Sequence, residues 1–328
     1  MEKIKYNLQY FADLNTNTTL SAGLSDEMKT YYSDYLIDNA QPELVHDQFA
    51  QKHPIPKNGG KTIEFRRFVP FDKATEVLTD GVTPNGGTLN VTKLEATIDQ
   101  YGYYVTLSDM LQLTAIDRTL VETTKLLGSQ AGMTLDTVTR EVLAGGTSVL
   151  YSGGKEARVE LDESCKLTVD DVYKAARFLK SQNAPKIEGG YVAIIHPDVA
   201  YDLMRNEEWI DSHKYAEPNE LFEGEIGKIA GVRFVETTEA KIFTGEKGGK
   251  DGRAVYSTLV LGANAYGVTE IEGGGLQHIV KQLGSGGTSD PLNQRATAGW
   301  KATKTAERLV ESYMIRIESG STFDGNAN

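Results

Sequence analysis

The chain is short of cysteine, of long apolar runs and of positive charge, and each shortage removes a class of function. Cys165 is the only cysteine in 328 residues, so no internal disulfide can form and nothing points to an oxidising compartment. No histidine or glycine elbow flanks it, which favours a buried, inert thiol over a nucleophile. No apolar run approaches the roughly 18–20 residues needed to span a bilayer. The N-terminal residues lack the continuous apolar core of a signal peptide. The expected site of synthesis is therefore the cytosol, and the sequons at Asn17 and Asn90 are expected to be chance matches. A formal net charge of −12 argues against nucleic-acid binding as the main task, because affinity for phosphate backbones comes chiefly from Lys and Arg. The same charge keeps a concentrated protein soluble.

What the chain does have is two β-patterned runs, the first from Lys61 to Val69 and the second from Leu89 through Tyr101 and Tyr103 to Val105. Between them lies Leu78 to Thr88, dense in Thr, Asp, Asn, Pro and Gly, the residues of turns. A two-stranded hairpin is marginal in water and its edges are open pairing templates. Such an arm needs something to lie on, and the most economical partner is another copy of the chain. Phe65, Arg66, Arg67 and Phe68 could stack on and pair with nucleic acid. On an arm in an acidic protein, salt bridges to a neighbouring subunit are the favoured reading. With Asp80 in the turn and Tyr101 and Tyr103 on the second run, these are the candidate inter-subunit contacts.

Residues before Gly23 read as an extended arm or tail. Ser25 looks like the N-cap of a helix carrying Met28, Tyr31, Tyr32, Tyr35 and Leu36. Tyr31 and Tyr35 are either an interface stripe or a face that docks on its own domain, and both readings stay open. A second short helix is expected from Glu43 to Ala50. After the hairpin, Ser108 caps a helical turn, and Asp117 starts the longest periodic segment. Leu120, Thr124, Leu127, Ala131, Leu135, Val138 and Val142 recur in steps of three and four, predicting a helix of some 26 residues ended by Gly145 and Gly146. Gly128 and Gly132 inside it suggest the close approach of another element. Beyond Leu167 helices and strands alternate: a helix after Thr168, a buried strand from Tyr191 to Ile195 and a helix after His196-Pro197-Asp198. Strands follow at 231–235 and 254–261, and an extended one at 308–317.

No constellation supports catalysis. His196 and Asp198 follow a buried strand, but Pro197 pre-sets a helical turn and Asp198 is well placed to cap it. His46, His53, His213 and His278 are scattered, and no cluster has metal-ligand spacing. The glycine-rich stretch 245–252 does not fit a phosphate loop, because Lys250 is followed by Asp251 rather than Ser or Thr. It reads as a hairpin loop. No catalytic residue, metal or cofactor is expected.

The ordered parts resemble the tailed-bacteriophage major capsid proteins with the HK97-type fold, in particular the N4-gp56 family. The resemblance is carried by Tyr6 to Asp13, Lys61 to Phe68, Leu126 to Gly132, Leu135 to Arg140, Ile194 to Val199 and Ile229 to Glu236. It implies an α+β chain in five parts. An N-terminal arm and helix span 1–57, an extended β-hairpin (the E-loop) 58–107, and a peripheral domain with a spine helix 108–167. An axial domain follows at 168–280, and 281–328 return to the peripheral domain. It implies a structural protein that self-assembles through hexamers and pentamers into an icosahedral shell around double-stranded DNA, in a virion put together in the bacterial host cytoplasm. Implied partners are further copies of the chain, portal, scaffolding and decoration proteins, and DNA held by enclosure, with no membrane. An encapsulin-like compartment and a soluble α/β enzyme are the alternatives.

Overall fold

The computed structural model describes residues 16–17, 45–56, 60–68, 71, 73–75, 77, 80, 86–114, 119–213, 225–269, 271, 275–286, 290–326 and 328. Tyr31, Tyr35 and the helix expected around them lie outside the described residues. Three sheets organise the rest. The first joins β1 (Thr16–Asn17), β2 (Gln51–Lys52), β5 (Asp99–Ser108), β12 (Tyr266–Thr269), β13 (Gln277–Lys281) and β14 (Arg295–Arg308), in the order β1-β5-β14-β12-β2 with β13 also on β14. The second joins β6 (Val149–Tyr151), β7 (Tyr191–Ile195), β8 (Glu225–Ile229), β9 (Val232–Glu236), β10 (Ile242–Phe243), β11 (Val255–Leu261) and β15 (Met314–Ser319). The third is the hairpin of β3 (Thr62–Phe68) and β4 (Val91–Thr97). The helices are α1 (Asp109–Thr114), α2 (Thr119–Ala144), α3 (Val169–Ser181), α4 (Pro197–Met204) and α5 (Glu207–His213).

Both central strands of the second sheet are buried along their whole length, β7 as an unbroken apolar run and β11 with only Ser257 and Thr258 interrupting one. Tyr191, Ala193 and Ile195 face α3 and α4 in the largest core cluster. Val192 and Ile194 face the other way, toward Leu143 near the end of α2 and Val45 and Phe49. Thr168 caps α3 through a reciprocal pair: its hydroxyl accepts from the backbone N–H of Asp171, whose carboxylate accepts from the Thr168 backbone.

Helix α2, 26 residues and so about 39 Å long, lies on one face of the first sheet. Leu127 and Ala131 pack there against Tyr101, Ala298, Trp300 and Ala302. Its last turn contains no basic residue, yet its carbonyls face two arginines from distant strands. Arg308 donates to the Val142 carbonyl at 3.0 Å, and Arg316 donates to the carbonyls of Ala144 and, at 3.2 Å, Gly146. Cations at a helix C-terminus satisfy its orphan carbonyls and the negative end of its dipole. Arg316 in turn binds Glu318 at 2.8 Å, and Arg158 grips the same carboxylate with two bonds of 2.6 Å while stacking on Phe243.

The buried face of α2 is not the one that apolar periodicity selects. From Asp136 onward the fully buried positions are Asp136, Thr139, Arg140 and Leu143. Asp136 accepts from the His46 backbone N–H at 2.9 Å and meets His46 Nδ1 at 2.6 Å. Thr139 donates to Asp47, which also accepts from Lys304. The buried hydroxyl of Tyr266 donates to the His46 carbonyl, and burial pushes its pKa well up. These bonds shape residues 45–50 as turns rather than the expected short helix.

Other expectations also change. The second hairpin run does not continue to Val105 as one strand. It breaks at buried Ile98, whose N–H donates to the Lys61 carbonyl at 2.9 Å. Beyond it β5 joins β14 instead of β3. The expected strand 308–317 is two strands in different sheets, separated by a turn at Glu311–Tyr313. His196, not Asp198, is the N-cap of α4, because its Nδ1 accepts the Asp198 N–H at 3.2 Å. A Cβ at Gly128 would meet nothing within 4 Å, so no other part of the described subunit approaches it closely. Cys165 is free and buried, as read.

Candidate functional site

Among the described residues the hairpin holds the subunit through its β3–β4 half. β3 and β4 pair antiparallel with Thr62 opposite Thr97 and Phe68 opposite Val91. Phe65 turns inward. Its ring lies edge-on to His53 at 5.8 Å and about 3.4 Å from where a Cβ on Gly267 would sit. Arg66 stays within the hairpin, its Nε 2.6 Å from Glu64, and Lys93 approaches the same carboxylate at 3.4 Å. The Arg66 hydrogen bond, helped by the charges of Arg66 and Lys93, holds the Glu64 carboxyl pKa below its ordinary value against an opposing effect of desolvation. Arg67 sits opposite Thr92 in the ladder.

Past Phe68 the described residues of the arm are 71, 73–75, 77, 80 and 86–90. The Phe71 ring lies about 3.5 Å from the position a Cβ would take on Gly87, across the arm. Phe71 is 66% exposed, Val77 93% and Leu89 60%, and Asp80 is exposed as well. Apolar side chains this bare at the end of a two-stranded ribbon have no partner within the described subunit.

The tyrosines part company. Tyr101 packs into the α2 cluster. Tyr103 is exposed, opposite Trp300 on β14. The candidate list omitted Tyr104, which is more exposed and sits opposite Gly299. A Cβ on Gly299 would lie 2.7 Å from the Tyr104 Cβ, so only glycine fits opposite the tyrosine at this spacing. The signal that could have found it is strand parity along β5, once Tyr101 is assigned to the helix-covered face.

His196 and Asp198 are occupied structurally. Asp198 accepts from the Tyr256 hydroxyl at 2.6 Å, and the His196 ring lies 5.1 Å from that of Tyr256. Burial lowers the His196 pKa, partly offset by Asp198, and burial together with Asp198 raises that of Tyr256. Among the described residues there is no group of three His, Cys, Asp or Glu side chains that could hold a metal ion. No helix among them is long and apolar enough to cross a membrane.

Comparisons with known proteins bear on this geometry. The family model of the phage capsid protein matches residues 91–283. No curated protein matches by sequence. The capsid of Ralstonia phage GP4 superposes with a TM-score of 0.69 at 16% identity, over 95% of this chain and 100% of that one. The capsid of cyanophage P-SCSP1u gives 0.68 at 14% identity, over 91% and 94%. The SrpI encapsulin complex of Synechococcus elongatus PCC 7942 gives 0.57 at 8% identity, over 94% and 99%. The fold is the α+β, HK97-like one of phage capsids.

Proposed function

The chain belongs to the phage capsid protein family as a structural, non-enzymatic major capsid protein, and from that premise we propose how it builds its shell. Copies assemble through hexamers and pentamers into an icosahedral shell that encloses double-stranded DNA, and the chain falls in the N4-gp56 branch. The exposed arm is the observation that carries the reading: its Phe71, Val77 and Leu89 lie bare, and among the described residues it is anchored through its β3–β4 half. A monomer gains nothing from such an arm, whereas a neighbouring copy can bury it. The hairpin at 58–107 is the E-loop, laid over an adjacent subunit. α2 is the spine of a peripheral domain and the second sheet forms most of an axial domain. Portal, scaffolding and decoration proteins are the other partners, and assembly takes place in the host cytoplasm. The net charge of −12 limits sticking of packaged DNA to the wall.

Size-exclusion chromatography with electron microscopy of the purified chain tests this. Hexameric rings or megadalton shells are expected, and a stable monomer at high concentration would overturn the reading. Particles from infected cells should contain DNA. Particles filled with cargo protein instead would favour an encapsulin-like compartment.

A further inference from the structure

The edges of the first sheet are not closed alike. β1 pairs with β5 through Thr16 and Asn17, and β2 pairs with β12 through Gln51 and Lys52. Residues 16–17 and 51–52 thus cover two edges. β13 lies against β14 over Gln277–Lys281 and, among the described residues, pairs with no other strand. All five of its residues are exposed, and the exposure continues through its flanks at Leu276 and Leu283.

Natural sheets blunt such edges with proline, charge or a bulge. The run from Leu276 to Leu283 reads Leu-Gln-His-Ile-Val-Lys-Gln-Leu. It has four exposed aliphatic side chains and one lysine, with no carboxylate and no proline. Its register with β14 runs from Gln277–Lys301 to Lys281–Thr297 without a bulge. An edge this apolar is a template for another strand, and the strand also complements itself. Antiparallel pairing of two copies about Ile279 sets Ile279 opposite the partner's Ile279, Val280 opposite the partner's His278 and Lys281 opposite the partner's Gln277. All five residues are then paired and no like charges meet. A centre at Lys281 would oppose two lysines, and any other centre leaves part of β13 unpaired.

The symmetry of this pairing fits a wall. A two-fold axis normal to the sheet keeps the same face of both sheets on the same side. Ile279 shares its face with Gly299 and Tyr104, while α2 packs on the opposite one. The joined sheet therefore carries both α2 helices on one side. A closed icosahedral shell has two-fold axes normal to its surface, and a contact on such an axis must be isologous. We propose that β13 pairs antiparallel with β13 of a second copy across a two-fold axis at Ile279, joining two first sheets edge to edge. This rests on the capsid reading and adds to it the surface and register of a two-fold contact.

Cysteine cross-linking of the full chain tests the contact. A residue on a two-fold axis meets its own copy. Ile279→Cys alone should therefore give a covalent dimer, and no longer ladder, when assembled particles are treated with a short bis-maleimide and run on a denaturing gel. Leu276→Cys is at least as exposed but lies far from its own copy in this register, so it should stay monomeric. Buried Cys165 serves as an internal negative. Gln277→Lys places a lysine opposite the partner's Lys281 at both ends of the pair and should weaken assembly about tenfold. Combining Gln277→Lys with Lys281→Gln gives each lysine a glutamine partner again and should restore assembly. The melting curve of the unassembled subunit should move little in either case, since both positions are exposed. Particles in which Ile279→Cys is labelled but gives no dimer overturn the pairing and leave the capsid reading standing. Slow labelling without a dimer overturns it too, and assigns the edge to a different segment. If Ile279→Cys does not assemble, the lysine exchange decides: assembly unchanged by Gln277→Lys, or not restored by the double exchange, overturns the pairing. Failure of the unmodified chain to oligomerise at all overturns both readings.

Discussion

Replacing Glu318 by Gln tests a fully buried electrostatic joint of the subunit. The carboxylate is fully buried and is held by three short bonds, two from Arg158 and one from Arg316. Gln keeps the volume and removes the charge. Two guanidiniums then face a neutral amide that can accept at only one of its two heavy atoms. Arg316 cannot escape to water, because it is buried and its Nη1 is committed to the end of α2. Arg158 can, since its side chain keeps 23% exposure. Breaking a buried pair from one side costs about 3–5 kcal/mol, and the freedom of Arg158 puts the expected loss near the lower end, about 3 kcal/mol. Removing the exposed pair partner Glu163, whose bond to Arg253 is largely solvated, should cost no more than about 1 kcal/mol. Urea unfolding of the unassembled subunit measures both. Amide exchange adds a local readout, because loosening of Arg316 should deprotect the last turn of α2 before the rest. A loss for Glu318→Gln below about 1 kcal/mol, or an unchanged last turn, would refute the argument.

Glycine substitutions should separate packing inside the subunit from packing between subunits. Gly299→Ala brings a Cβ within 2.9 Å of the Tyr103 carbonyl oxygen and should destabilise by about 1–3 kcal/mol. Gly128→Ala meets open space and should stabilise α2 by up to about 1 kcal/mol; reduced particle yield from that stabilised subunit would assign Gly128 to a contact between copies. Asp202 clasps the C-terminal segment by accepting from Lys166, Ser321 and Thr322. Burial alone would raise its pKa, but the bonds from Thr322, Ser321 and Lys166 prevail and lower it. Its contribution is then complete above the ordinary value of 3.8 and fades as pH falls through the lowered one. Asp202→Asn should flatten the acid limb of the stability curve below that value, and an unchanged acid limb would count against the clasp. Deleting residues 74–88 should leave a subunit that melts normally by circular dichroism but fails to form particles; an unfolded product would place the arm in the subunit's own core.

How much of this was legible follows from what each element buries. β7 declared itself because both its faces are covered, so all five of its residues are buried and apolar or aromatic. α2 declared itself through Leu127, Ala131 and their spacing, but only over its first half. In the second half the buried positions are Asp136, Thr139 and Arg140, whose partners His46, Asp47 and Glu239 are roughly a hundred residues away in sequence. A periodicity count cannot see a polar residue satisfied at long range. β14, the longest strand, was missed for a related reason. Its buried positions are Ala296, Ala298, Gly299, Trp300, Ala302, Lys304 and Ala306; all but Trp300 and Lys304 are small and carry little hydrophobic signal, and Lys304 is charged. Ala298 and Ala302 are small where Leu127 and Ala131 of α2 pack on the strand. The hairpin was legible as a pattern of alternation, yet its break at Ile98 was not, since alternation continues across it and only burial marks the change of partner. An exposed arm announces itself by what it fails to bury, whereas a strand of mostly small buried residues is revealed only by the helix that covers it.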